Sequence, residues 1–375
     1  MKIYKLQDII MLIDYLSSVK DHRQKQGKRY QLHHILLFSI FAILCNADSY
    51  RKIHSFIKIK YDILNKCYNL NWKRIPAYTT IRNIIQGVDS VELETSFRLF
   101  NIYLHEQNSD SKYIAFDGKT LRGSFDHFND KKAIQIFSAF TSGDIILAHE
   151  EIDEKTNEIP TAQKLFAELG LSNYIFTLDA MHCQVNTLQS AVESNNDIIV
   201  QVKENQPTLL NDCVNVTKRT DPNDHYQEPE SQQRNRIESR IVEVYDNVDG
   251  IDKKKWNQVE SIIKVERKRQ TFNTKTKSYD SSDEISYYIS TTNPSAMQGC
   301  EAIRLHWGIE NKNHYVKDVS MNEDASRIRI NPQNFAKLRS FALNILRANK
   351  ITNIQLELFE NCLKSTPFFD YIGIK

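Results

Sequence analysis

IAFDGKTLRGS at residues 114–124 and YIFTLDAMHCQ at residues 174–184 decide the reading of this chain. In each, a run of apolar and aromatic residues stops at an aspartate, Asp117 or Asp179, so both carboxylates belong at strand ends. One aspartate after a strand is an ordinary turn residue. Two of them in one mixed sheet can converge on the same edge, which is an arrangement with chemical use. Gly118 offers the backbone a tight exit, and Lys119 and Arg122 follow closely enough to neutralise a phosphate beside Asp117.

Further β-type runs lie at 134–140, 144–152 and 197–202. Helical stretches at 161–169, closed by Gly170, and around 185–192 separate the later strands. Three strands on short turns, then helix, strand, helix, strand, predicts an α/β fold with a mixed sheet flanked by helices. Alternating segments at 239–245, 259–265 and 285–290 predict a β-rich insertion. The first hundred residues repeat their apolar positions at three and four, and from 31 to 45 the residues are apolar nearly all round, as in a buried helix. From 296 the pattern is helical again, with a break at Asn331-Pro332 and a second helix over 335–348. The expected boundaries are an N-terminal helical domain over 1–105, the first part of a catalytic core over 106–214, the insertion over 215–290 and a helical C-terminal part of the core over 291–375.

That last part supplies a third carboxylate. On an α-helix His306, Glu310, His314 and Lys317, spaced 4, 4 and 3 apart, share one face. Carboxylates are natural ligands of Mg²⁺, and two such ions about 4 Å apart activate the attacking oxygen and stabilise the leaving oxygen in displacement at phosphorus. The two histidines with Glu310 also imitate a zinc site, a reading that leaves both aspartates unexplained. Trp307 reads as core, and Glu323-Asp324 as an exposed acidic pair.

Composition narrows the classes. Among 375 residues, 49 Lys and Arg against 47 Asp and Glu leave a net charge of +2, so any nucleic-acid function must rest on local chemistry. Six cysteines without a CxxC pair suit a reducing cytosol. The longest apolar run, residues 35–45, is too short to span a bilayer, and the acidic residues of the N-terminal stretch argue against a secretory signal. The expectation is a cytoplasmic protein with no membrane partner.

At these segments the sequence resembles the H-repeat-associated group of bacterial insertion-sequence DDE transposases. DGKTLRGS, EKTNEIP at 154–160, LDAMHCQ, VKENQ at 202–206, RIESR at 236–240, YYIS at 287–290, HWGIEN and EDASRIR stand in the group's order, after an N-terminal run HHILLFSIFAILCNADSYRKIHSF. The resemblance implies a ribonuclease-H-like core in which Asp117, Asp179 and Glu310 are catalytic and hold two Mg²⁺ ions, with Mn²⁺ as a substitute. It implies double-stranded DNA as partner, at transposon ends and target, a homodimer on DNA, and a place at the bacterial nucleoid. Lys119, Arg122, Lys203, Arg236, His306, Lys317, Arg327 and Arg329 become the candidate DNA contacts. Two departures stand out: Arg234-Asn235 where the group usually has His-Gly, and His182 where it often has Gly; neither touches an expected ligand. A domesticated DNA-binding derivative and a stand-alone metal-dependent nuclease remain the rival readings.

Overall fold

A computed structural model describes residues 12–108, 112–125, 132–152, 157–233, 235–365 and 371–374. The first eleven residues, 154–156 of the EKTNEIP motif and Arg234 lie outside the described residues. In chain order the elements begin with α1 (Leu12–Ser17), α2 (Leu32–Leu44), α3 (Tyr50–Tyr68), α4 (Tyr78–Gly87) and α5 (Ser90–Asn108). Then come β1 (Tyr113–Thr120), β2 (Gln135–Thr141), β3 (Ile146–Ile152), α6 (Glu158–Glu168), β4 (Ile175–Leu178), α7 (Val185–Glu193), β5 (Asp197–Val202) and α8 (Pro207–Arg219). The remainder is β6 (Asp224–Gln227), β7 (Ser231–Gln233), β8 (Arg236–Tyr245), β9 (Ser261–Asn273), β10 (Ser278–Ser290), α9 (Ala296–Gly308), α10 (Pro332–Ala348) and α11 (Ile354–Leu363). The class is the expected α/β one, with parallel and antiparallel strand pairs and flanking helices. The order of β1 to β5 with α6 and α7 is the one the ribonuclease-H-like reading requires.

Contacts divide the chain into two compact units, and the division cuts across the sequence boundaries. The first unit takes residues 1–111, 118–153 and 310–375; the second takes 112–117 and 154–309. The N-terminal helices share the first unit with α10, which packs with α2, α4, α5 and β3. Every residue of α10 is buried, polar ones included. Asn344 shows how this is tolerated: its Nδ2 donates to the carbonyl of Ile146 and its Oδ1 accepts that residue's N–H, at 2.8 and 3.0 Å. Lys337 likewise donates to the Ser90 carbonyl at 2.6 Å and stands 3.4 Å from Glu94. α2 is buried at every position but His33, as its nearly all-round apolar pattern predicts.

In the second unit the strands run in the order β1-β4-β5-β10-β9-β8-β6, with β7 also on β8. β1, β4 and β5 are parallel neighbours, while β10 joins β5 antiparallel. The segment expected as an insertion thus extends the same sheet. Its β9 and β10 pair from Ser261–Ser290 to Asn273–Ser278, a longer hairpin than the apolar alternation revealed, because its outer half is exposed and polar. Helix α8 also escaped the sequence reading, although Pro207 at its start is a helix-opening signal. α9 begins with a reciprocal Ser295–Gln298 capping box and lays Ala296, Cys300, Ala302 and Ile303 on Val242, Val244, Ile263 and Val265. α6 covers the parallel strands through Phe166, whose ring meets Phe116 and Phe176 at centroid distances of 4.9 Å.

Candidate active site

β1 pairs with β4 in the register Tyr113 with Ile175, Ile114 with Phe176 and Ala115 with Thr177. The offset is 175 − 113 = 62, and 179 − 117 is also 62. β1 runs on to Thr120, so Asp117 lies within its strand and not at the end expected for it, whereas Asp179 directly follows β4. With Asp179 extended at φ −65 and ψ 161, the equal offset puts the two at matching positions of neighbouring strands on the same side of the sheet. Parallel neighbours lie about 4.8 Å apart, and carboxylates are the type of oxygen donor that a hard divalent cation takes. Among the described residues, no three His, Cys, Asp or Glu side chains gather into a metal-holding group.

The turn after Asp179 is built by other motifs. Residues 180–182 form one 3₁₀ turn, in which the His182 N–H returns to the Asp179 carbonyl at 2.9 Å. Asn205 Nδ2 donates to the Ala180 carbonyl at 2.7 Å, and Gln206 Nε2 to the Cys183 carbonyl at 3.0 Å. The buried His182 ring stands 3.1 Å from Glu158 on α6. The VKENQ motif therefore holds the LDAMHCQ motif, a role for Asn205 and Gln206 that sequence spacing did not reveal.

His306 Nε2 lies 3.1 Å from Asp179 Oδ1. A carboxylate only accepts, so Nε2 carries the proton. That hydrogen bond, opposed by partial burial and helped by the charges of His306, Lys203 and His182, holds the Asp179 carboxyl below its ordinary range. An open pocket of about 480 Å³ beside it is lined by Ile159, Asp179, Ala180, Met181, Gln184, Lys203 and Asn205. It is apolar except for an acid, a cation and two amides.

Within the first unit, Lys119 is not an exposed cation. Its ammonium reaches Asp318 and, at 2.7 Å, Glu323, with its side chain 9% exposed. Lys317 stands 3.8 Å from the same Glu323 oxygen. Burial would raise the Glu323 carboxyl, but Lys317, Lys119 and Arg339 pull it down to about 2. Burial likewise lowers Lys317 to about 8, against the attraction of Glu323. Glu323 is thus a buried charge and not the exposed acid expected from its place in the sequence. Trp307 is corrected the other way: it is half exposed, its indole N–H donates to the Tyr288 hydroxyl, and the Arg267 guanidinium lies over its ring at 5.6 Å.

The helix expected to carry His306 to Lys317 on one face changes winding. From Ile309 to His314 and from Val316 to Ser320 it is π-helical, with i→i+5 hydrogen bonds, so spacings of four and three no longer stack. Glu310 is exposed while His314 and Lys317 are buried, hence these do not share a face. Of the remaining candidates, Arg122 is largely exposed and stands 3.6 Å from Asp324, and Arg236 is ion-paired with Glu238. Lys203, Arg327 and Arg329 are exposed.

Against known families, residues 108–345 match the profile of the transposase DDE domain, and residues 13–101 that of the DDE_Tnp_1-associated domain. The chain belongs to the transposase DDE domain family. Within it, the chain is 32% identical over 351 residues to the putative transposase YncI of Escherichia coli O157:H7, covering 90% of this chain and 87% of that one. It is 29% identical to the H repeat-associated putative transposase YhhI of Escherichia coli strain K12, with 91% of each chain covered. The H-repeat-associated resemblance is thereby borne out. A solved piggyBac transposase synaptic complex with hairpin DNA aligns over 93% of this chain at 11% identity and a TM-score of 0.37, a likeness too loose to carry an argument.

Proposed function

We propose that this insertion-sequence DNA transposase cuts phosphodiester bonds at its element's ends and transfers the freed 3′-hydroxyl into target DNA, using Asp117, Asp179 and Glu310 as ligands for divalent cations. Bound Mg²⁺, with Mn²⁺ as substitute, would supply charge to the attacking and leaving oxygens of an in-line displacement. The observation that carries this reading is the shared offset of 62 between the β1–β4 register and the two aspartates, which supports a carboxylate pair on one edge. Asp117 and Asp179 furnish hard oxygen donors from a rigid sheet, and Glu310 would add a third from the π-wound segment. His306 orients the Asp179 carboxylate by donating through Nε2 and keeps it ionised. Lys203, beside Asp179 in the pocket, would bind a phosphate oxygen of double-stranded DNA, as would the exposed Arg122, Arg327 and Arg329. A homodimer on DNA is part of the proposal, since two ends must be joined at one target.

The test is nicking and joining on DNA carrying the inverted repeats that flank the gene. Replacing Asp117, Asp179 or Glu310 by Ala should abolish both products and leave binding in place. Full cleavage by the three variants would overturn the ligand assignment. Nicking without joined products would point to a nuclease, and binding without nicking to a DNA-binding derivative.

A further inference from the structure

We infer that Lys119 is a positioning residue and not a DNA contact: with Glu323 it forms an internal brace that holds the strand end two residues beyond Asp117. The inference rests on the functional reading above and deepens it. DGKTLRGS and EDASRIR meet within the first unit at three points. Lys119 is bound to Asp318 and Glu323, Arg122 stands 3.6 Å from Asp324, and the 122–124 turn lies against the backbone at Ser326. That last approach is close enough that a Cβ on Gly123 would sit 1.8 Å from the Ser326 carbonyl oxygen. The acidic segment is itself folded back, the Glu323 N–H donating to the Lys317 carbonyl and the Ser326 N–H to the Glu323 carbonyl, each at 3.0 Å.

Burial decides between the two roles for the ammonium. A phosphate-binding lysine keeps its head in water until DNA arrives, whereas the Lys119 side chain is 9% exposed and faces two carboxylates. Reaching a phosphate would strip Glu323, 2% exposed, of its nearest cation and leave it Lys317 at 3.8 Å, and losing one partner of a buried ion pair costs more than one more surface phosphate contact is worth. Geometry supplies the function. A carboxylate that must meet a reacting phosphate tolerates little displacement, and misplacement by about 1 Å costs on the order of 100-fold in rate. Asp117 shares strand β1 with Lys119, so pinning residue 119 limits how far the strand end can swing.

The experiment compares wild type with Lys119→Met, Glu323→Gln and the double variant, which removes both charges and keeps the volume. It measures end-DNA affinity against salt concentration, single-turnover nicking and thermal unfolding. A brace predicts an unchanged salt slope for Lys119→Met, nicking reduced roughly 10- to 100-fold in both single variants, and a double variant that unfolds no earlier than the worse single one. A phosphate contact predicts a salt slope shallower by about 0.9 and additive losses in the double variant. Either of these, or undiminished nicking by a folded Lys119→Met, overturns the inference. Absence of nicking by wild type would instead fail the functional reading, while the unfolding cycle would still report whether Lys119 and Glu323 act as one unit.

Discussion

His306 Nε2 donates to Asp179 Oδ1 across 3.1 Å, joining the last turn of α9 to the end of β4. The bond explains why the Asp179 carboxyl is held below its ordinary range. A depressed carboxyl stays ionised as pH falls until its own folded-state value is reached. Removing the donor with His306→Ala should therefore move the acid limb of the nicking profile to higher pH. The carboxyl titration of Asp179, followed by NMR, should shift upward with it. An acid limb in the same place for both proteins would separate His306 from Asp179.

Glu323 sets a second pH dependence. Its carboxyl is near 2 when folded and about 4.3 in an unfolded chain, so the unfolded state takes up protons first. Its stabilising contribution is complete above the unfolded value and disappears as pH falls through about 2. The size is on the order of 3 kcal/mol. Glu323→Gln should lower stability at pH 7 by a comparable amount and flatten the loss between pH 5 and 2, as read from urea unfolding at several pH values. Parallel curves for the two proteins would count against the buried charge cluster.

Gly123→Ala places a methyl group 1.8 Å from a backbone oxygen that no rotamer change can move. The turn or the Ser326 segment must shift. Overpacking of this kind costs about 1–3 kcal/mol, visible as a lower Tm. At Gly170, where nothing lies within 4 Å but φ is +63, an alanine should be disfavoured by the backbone alone and by less.

Phe166 joins α6 to both carboxylate-bearing strands through rings at 4.9 Å. Phe166→Ala should cost about 3–5 kcal/mol by leaving a cavity, measured by denaturant unfolding. Phe166→Leu should cost markedly less. If the two cost the same, the aromatic contact is not what holds the helix on the sheet.

Much of this was legible in the chain. The five strands around the aspartates, the all-round apolar α2 and the Asn331-Pro332 break could be read because periodicity and turn chemistry are local. The outer half of the β9–β10 hairpin could not, since exposed strand residues such as Lys268 and Ser282 carry no apolar alternation. The face carrying Glu310 was misread because a π winding leaves no simple signature in residue spacing. Glu323 was read as an exposed acid and Lys119 as a DNA contact because sequence does not reveal a partner 204 positions away. The place of Asp179 directly after β4 was legible because strand ends are visible locally, and Asp117 proved to lie inside β1 because the strand continues through the polar residues up to Thr120. Asn205 and Gln206, which hold the turn, are polar residues with nothing unusual in their own neighbourhood.

The three-part make-up of the first unit bears on any effort to work with a piece of the chain. A fragment confined to residues 108–345, the span matched by the transposase DDE domain, would keep most of α10 and lose α1 to α4 with nearly all of α5. Phe341 would lose Phe97 and Phe100, its ring neighbours at 4.9 and 5.7 Å, and the apolar flank of α10 would be wetted along its length. Such a fragment should precipitate or require a detergent-like additive. Supplying residues 1–107 as a separate polypeptide should restore solubility if the two pieces reassemble.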